Sequence, residues 1–205
     1  MSNPGVRGNK MFFVNLNEIL NLPKKGVGRM AVQFQLCQLD KDFDAYVRFL
    51  SRNYDELNLP YSYAMMLNFF ASPLTMGKAM LAYLEEPYTV VGAAGFVYGT
   101  SAKDHKDRNI CQIEVVYLLR EYRTPMIFMR GLRALLREIR AGNPEVSTIQ
   151  FWVSERHKGF KRLITRFSSL PGAVMEEKDG LMLYMIPFAE LELFSRRFIP
   201  LTSPT

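Results

Sequence analysis

The stretch Val116-Tyr-Leu-Leu-Arg-Glu-Tyr-Arg-Thr-Pro-Met-Ile-Phe-Met-Arg-Gly-Leu-Arg-Ala-Leu-Leu136 carries two periodicities with a short break between them. Its first residues close an apolar run, 110–119, that reads as a strand. Beyond Thr124 and Pro125 the spacing changes. Leu132, Leu135, Leu136 and Ile139 recur at i, i+3, i+4 and i+7, which predicts a helix over residues 126–140. Gly142, Asn143 and Pro144 end it, because glycine relieves the last turn and proline forbids another. A further apolar run at 148–153 reads as a strand, so the centre of the chain is one βαβ unit.

Working outward, residues 31–39 alternate Val32, Phe34 and Leu36 with Gln33, Gln35 and Cys37, the period-two pattern of a half-buried strand. Asp40 or Asp42 then caps a helix whose Phe43, Tyr46, Val47, Leu50 and Tyr54 share one face. A second helix follows Pro60 and is expected to end near Pro73. Residues 79–84 and 89–98 read as strands joined by the turn Glu85-Glu86-Pro87, and the charged segment 100–109 reads as a solvated loop. A basic amphipathic helix is predicted over 155–167, and a hairpin over 172–177 and 181–188 turned at Lys178-Asp179-Gly180. The glycines and prolines of residues 1–30 mark an N-terminal arm, within which 12–22 forms a short docked helix or strand. The domain is expected to run from 31 to 190, with a tail over 191–205.

A chain of 205 residues with 48% hydrophobic and 13% aromatic residues buries one substantial core. Its longest apolar runs fall far short of the roughly 20 residues of a membrane-spanning helix. The N-terminus lacks the apolar core of a secretory signal, so a cytoplasmic protein is expected. Cys37 and Cys111 read as two reduced thiols rather than a disulfide, and with His105 and His157 they offer no metal-ligand spacing. The net charge of +6 favours an acidic partner, either nucleic acid or the phosphates of a cofactor.

The element order and the quoted stretch resemble the GNAT acyltransferases over residues 31–188. In that family a strand is followed by Pro-x-Tyr-Arg, a glycine-rich turn, and a helix ending in a Leu-Leu-like pair. Here Glu121-Tyr122-Arg123 and Arg133-Ala134-Leu135-Leu136 stand at those places. The resemblance implies a mixed α/β fold of α+β character, with a mostly antiparallel sheet flanked by helices. It also implies transfer of an acetyl group from acetyl-CoA to an amine. On that reading Val116, Tyr117 and Leu118 line the pantetheine arm on a strand that splays from its neighbour. Arg123, Thr124, Pro125, Met126, Ile127, Phe128 and Met129 meet the phosphates at a helix N-terminus, and Ser154 stands near the family's asparagine. Two small positions of the family's turn are filled here by Met126 and Phe128, which are expected to crowd the phosphates, and the helix near 161–164 has no tyrosine. The many methionines and compact core resemble phage-encoded relatives.

Acyl transfer to an amine needs a base and an acid. Glu114, a carboxylate within an apolar strand, is the candidate base; otherwise it faces solvent or pairs with a cation. Tyr117 is a candidate acid, with Tyr122 beside it, and His157 a candidate proton shuttle or else an exposed helix residue. Arg130, Arg133, Arg137 and Arg140, with Arg156, Lys158, Lys161, Arg162 and Arg166, form either a surface for nucleic acid or a protein partner, or a solvated helix face. The alternatives to an enzyme are an inactive GNAT-like binding or structural module, viral or otherwise, and a basic nucleic-acid adaptor.

Overall fold

The computed structural model describes residues 13–15, 31–57, 62–154, 161–178 and 180–196. Strand β1 (Phe13–Asn15) lies within the predicted arm. Strand β2 (Gln33–Leu36) is followed by α1 (Asp40–Arg52), the single turn α2 (Tyr54–Leu57) and α3 (Tyr63–Met76). Then come β3 (Gly77–Leu84), β4 (Thr89–Tyr98), β5 (Ile110–Leu118), α4 (Pro125–Gly142), β6 (Thr148–Ser154), α5 (Lys161–Ser168), β7 (Val174–Lys178), β8 (Leu181–Pro187) and α6 (Phe188–Arg196). The sheet order is β2-β3-β4-β5-β6-β8-β7, with β1 pairing β5. Its pairs are antiparallel except β5 with β6 and β1 with β5.

Apolar side chains fill both faces of this sheet. On one, Tyr46 and Leu50 of α1 and Met66 and Phe70 of α3 pack on Leu81, Val115, Tyr117 and Trp152. On the other, Leu135, Leu136 and Ile139 of α4, Phe167 of α5, and Leu191 and Phe194 of α6 pack on Phe96, Ile113, Ile149, Phe151 and Ile186. Each such fully buried aliphatic or aromatic side chain stabilises the fold by about 1.5–3 kcal/mol before ordering costs.

Two local expectations are corrected and a third, the solvated loop, is borne out with an added tie. Helix α3 passes through Pro73 to Met76 instead of stopping there. Proline cannot donate to the carbonyl four residues back, and the Ser72 hydroxyl takes over by donating to that Phe69 oxygen at 3.4 Å. The segment after 190 is not all tail, because α6 extends to Arg196 and buries Leu191 and Phe194. The charged loop is tied down as well as solvated: the Asp107 carboxylate accepts from the Thr100 backbone N–H and hydroxyl, both at 2.7 Å. Helix α1 starts as predicted, held by Asp42, whose Oδ2 accepts the N–H groups of Gln38 and Leu39 at 3.1 Å each. Both cysteines are free thiols.

Two irregularities shape the middle of the sheet. Gly95 pairs with Val115 while the next β4 residue, Phe96, pairs with Ile113, so Glu114 is the extra residue of a β-bulge. The bulge resets the alternation: Ile113 and Val116 both face α4, whereas Val115 and Tyr117 face α1 and α3. Gly95 is required there because a Cβ would collide with the Tyr46 hydroxyl and lie 2.6 Å from Cγ of Pro73. The second irregularity is a seam. β5 pairs with β6 only through Ile110, Cys111 and Gln112, opposite Thr148, Ile149 and Gln150, after which the two strands part.

Candidate functional site

Where β5 leaves β6, its last residues face two environments. Toward α4, Val116 borders two adjoining apolar cavities of about 60 and 50 Å3 that share Phe128, Leu132 and Leu135 as walls. Phe128 therefore turns inward beneath the sheet and Met126 projects into solvent at 59% exposure, which corrects the expectation that their bulk crowds the turn.

The first turn of α4 limits anion binding in another way. Thr124 caps the helix, its hydroxyl accepting the Ile127 N–H at 3.3 Å, and its carbonyl accepts the Phe128 N–H at 2.9 Å. The Arg123 and Thr124 amides go to Arg120 and Tyr122 carbonyls, and Pro125 has no N–H. Among the described residues this leaves the Met126 N–H without an acceptor. The Arg123 side chain is also turned away from the expected phosphates. It is buried, donates from Nε to the Leu118 carbonyl at 2.7 Å, and lies over the Tyr117 ring at 5.3 Å.

On the α1 side, the same strand end carries a polar cluster whose members are far apart in the chain and share no motif. The Tyr117 hydroxyl donates to Glu56 Oε2 at 2.7 Å and lies 3.4 Å from Asn53 Oδ1. Arg123 Nη2 stands 3.7 Å from the same Glu56 oxygen. The Glu56 side chain is 59% exposed, so the cluster opens to solvent although Tyr117 and Arg123 are buried. Burial, then the hydrogen bond and negative charge of Glu56, push the Tyr117 phenol well above its ordinary value, against Arg123. The phenol is thus held protonated, with its hydrogen bond given to Glu56.

The remaining candidates stand apart from this opening. Glu114 neither faces solvent nor sits in a cleft: it is 2% exposed, accepting from Gln112 Nε2 at 3.4 Å, while Gln150 donates to Gln112 at 2.8 Å. Its charge helps to raise the pKa values of the buried Tyr46 and Cys111, after burial itself. Tyr122 is half-buried against the Val32, Leu84 and Leu118 cluster. Of Ser154 only the backbone is described, paired with Leu181, and His157 lies outside the described residues. The arginine stripe of α4 is engaged locally. Arg130 donates to the Val32 carbonyl at 3.0 Å, Arg133 to that of Met129 at 3.3 Å, and Arg140 to that of Pro144 at 2.7 Å, while Arg137 pairs with Glu138 at 2.9 Å. No described helix is long and apolar enough to cross a membrane.

No family model and no curated protein matches the sequence. Solved structures do match in shape. A GNAT-family acetyltransferase from Staphylococcus aureus Mu50 aligns with a TM-score of 0.53 at 16% identity, over 77% of this chain and 99% of that one. Ribosomal-protein-S5-alanine acetyltransferase from Vibrio fischeri aligns at 0.53 and 10% identity, over 78% and 94%. FeeM, an N-acyl amino acid synthase from uncultured soil microbes, aligns at 0.55 and 10% identity, over 82% and 99%. The chain has the GNAT fold, as its central stretch implied.

Proposed function

We propose that this chain is an N-acyltransferase that moves an acetyl group from acetyl-CoA to a primary amine, with Glu56 and Tyr117 as the proton-handling pair. The observation that carries this reading is the parting of β5 from β6 beyond Gln112 and Gln150, on a sheet of GNAT fold. An extended, amide-bearing arm such as pantetheine suits the backbone of Val116, Tyr117 and Leu118 along that opening. The diphosphate is served less well, by the Met126 N–H at the start of α4.

Acetyl-CoA, when bound, supplies an acyl group on a thiol leaving group. An incoming ammonium must lose its proton, and Glu56 is a solvent-facing carboxylate able to attract the cation and accept that proton. Glu114 is less suited to this role because it is sealed in the core. Once Glu56 has taken the amine's proton, the charge that adds to burial in raising the Tyr117 phenol is gone, and Tyr117 passes its proton to the departing thiolate as it draws the one held by Glu56. Arg123 is a positioning residue, fixing the Tyr117 ring and the Leu118 carbonyl.

The test is a thermal shift with millimolar acetyl-CoA, followed by thiol release from acetyl-CoA against a panel of primary amines. A raised Tm and amine-dependent thiol release are the expected results, since a ligand of the native state alone stabilises it. Absence of both overturns the reading. It would favour a GNAT-fold binding or structural module, viral or otherwise, which the engaged amides around Thr124 already suit.

A further inference from the structure

Strands that part inside a sheet leave an inner edge whose backbone N–H and C=O groups need partners. At the β5–β6 opening those partners come from the chain itself. β1 runs parallel to β5, with Phe13 beside Val115, Val14 beside Val116 and Asn15 beside Tyr117. It also lies against β6 and against α2, the turn that carries Glu56. The N-terminal strand therefore lines the opening on the donor side and touches the element that bears the proposed base.

We infer that β1 is an intramolecular competitor of the acyl donor, seated on the β5 edge when the donor is absent and displaced from it when the donor binds. The identity of the competing ligand rests on the acyltransferase reading; the seating of β1 rests on the strand pairing alone. Leu119 donates to Val91 of β4, so by alternation Tyr117 also faces β4 and Val116 faces the β1 side. The Val116 N–H has room for one partner, so β1 and a pantetheine arm cannot both take it. Displacement is feasible because the pairing spans three residues and is parallel, the weaker of the two ladder types. Being tethered, β1 stands at a high effective concentration, which ordinary dilution does not lower. The apparent affinity for the donor is then the intrinsic affinity scaled by the fraction of molecules whose edge is open.

The experiment uses the full chain and the variant Val14→Pro/Asn15→Pro. Successive N–H groups of a strand point to opposite sides, so two adjacent prolines remove whichever donor faces β5. Hydrogen exchange at the Val116 amide and titration with acetyl-CoA are measured on both proteins. The variant is expected to lose protection at that amide and to bind acetyl-CoA about tenfold more tightly, as when nine molecules in ten are otherwise closed. In the unaltered chain, saturating acetyl-CoA is expected to speed exchange at Phe13, Val14 and Asn15, a measurement that needs no variant. Unchanged protection in the variant overturns the seating of β1. Lost protection with unchanged affinity overturns the competition while leaving the acyltransferase reading intact. Failure of both proteins to bind acetyl-CoA overturns that reading, and the competition with it.

Discussion

The Tyr117 hydroxyl and the Glu56 carboxylate meet at 2.7 Å, joining the end of the central strand to a helical turn 61 residues earlier in the chain. If this pair handles the protons of acyl transfer, Glu56→Gln should lower kcat by about a hundredfold, the usual scale for a general base. Glutamine retains an oxygen to accept from Tyr117, so Tm should move little. Tyr117→Phe should lower kcat on a similar scale. Steady-state kinetics with a fixed amine, beside a melting curve for each variant, read both effects; unchanged kcat in Glu56→Gln removes Glu56 from the chemistry.

Acid should destabilise the protein through Asp42. The N–H groups of Gln38 and then Leu39, with Lys41 adding positive charge, hold its carboxyl below the ordinary value of 3.8, in spite of burial. A depressed carboxylate contributes stability that is present above that value and is lost as pH falls through the folded pKa. Asp42→Asn should cost about 1 kcal/mol at neutral pH, like the loss of a helix cap, and should flatten the acid limb of a urea-midpoint profile. An unaltered acid limb would contradict this.

The alkaline limb should be steep for the opposite reason. Burial, and secondarily Asp42, push the Cys37 thiol from 9.0 to about 12, and burial pushes the Tyr98 phenol from 10.0 to about 12. Tyr117 is raised as well. Between pH 9 and about 12 the folded state thus holds protons that the unfolded chain has released, and stability falls as pH rises. Below pH 9 these contributions are complete. Ultraviolet titration should find a class of tyrosines ionising only as the protein unfolds.

Gly95→Ala should cost about 1–3 kcal/mol, because its Cβ enters the space held by the Tyr46 hydroxyl and Pro73. Chemical denaturation reads the loss directly.

Leu191→Ala should cost about 2–5 kcal/mol, the range for a truncated core leucine. A change within about 0.5 kcal/mol is the signature of a surface residue and would return this position to the tail.

These positions also mark how far the sequence could be read. β5 and α4 were legible because their apolar residues hold one period long enough to exclude the other, and Thr124 and Pro125 punctuate the boundary. Helix α6 was hidden because Phe188 extends the apolar run of β8 past Pro187, the residue that marks the boundary, although Phe188, Leu191 and Phe194 recur every three residues. The length of α3 was hidden because the Ser72 substitute for a backbone donor is a tertiary detail rather than a pattern. The same holds for the site. Glu56 looks like any solvated helix acid until the fold brings Tyr117 to it, and the inward turn of Phe128 follows from the course of α4 under the sheet. Glu114 stands out locally as a carboxylate in an apolar strand, but the bulge it occupies places it in the core.

The seam between β5 and β6 has a mechanical meaning. Three residue pairs join a block made of β2, β3, β4 and β5 to a block made of β6, β8 and β7. Such a sheet resembles two leaves on a short hinge, and cooperative units of this kind open with separate free energies. A strand wedged between the leaves acts as mortar, so whatever enters or leaves that gap alters how tightly the two halves unfold together.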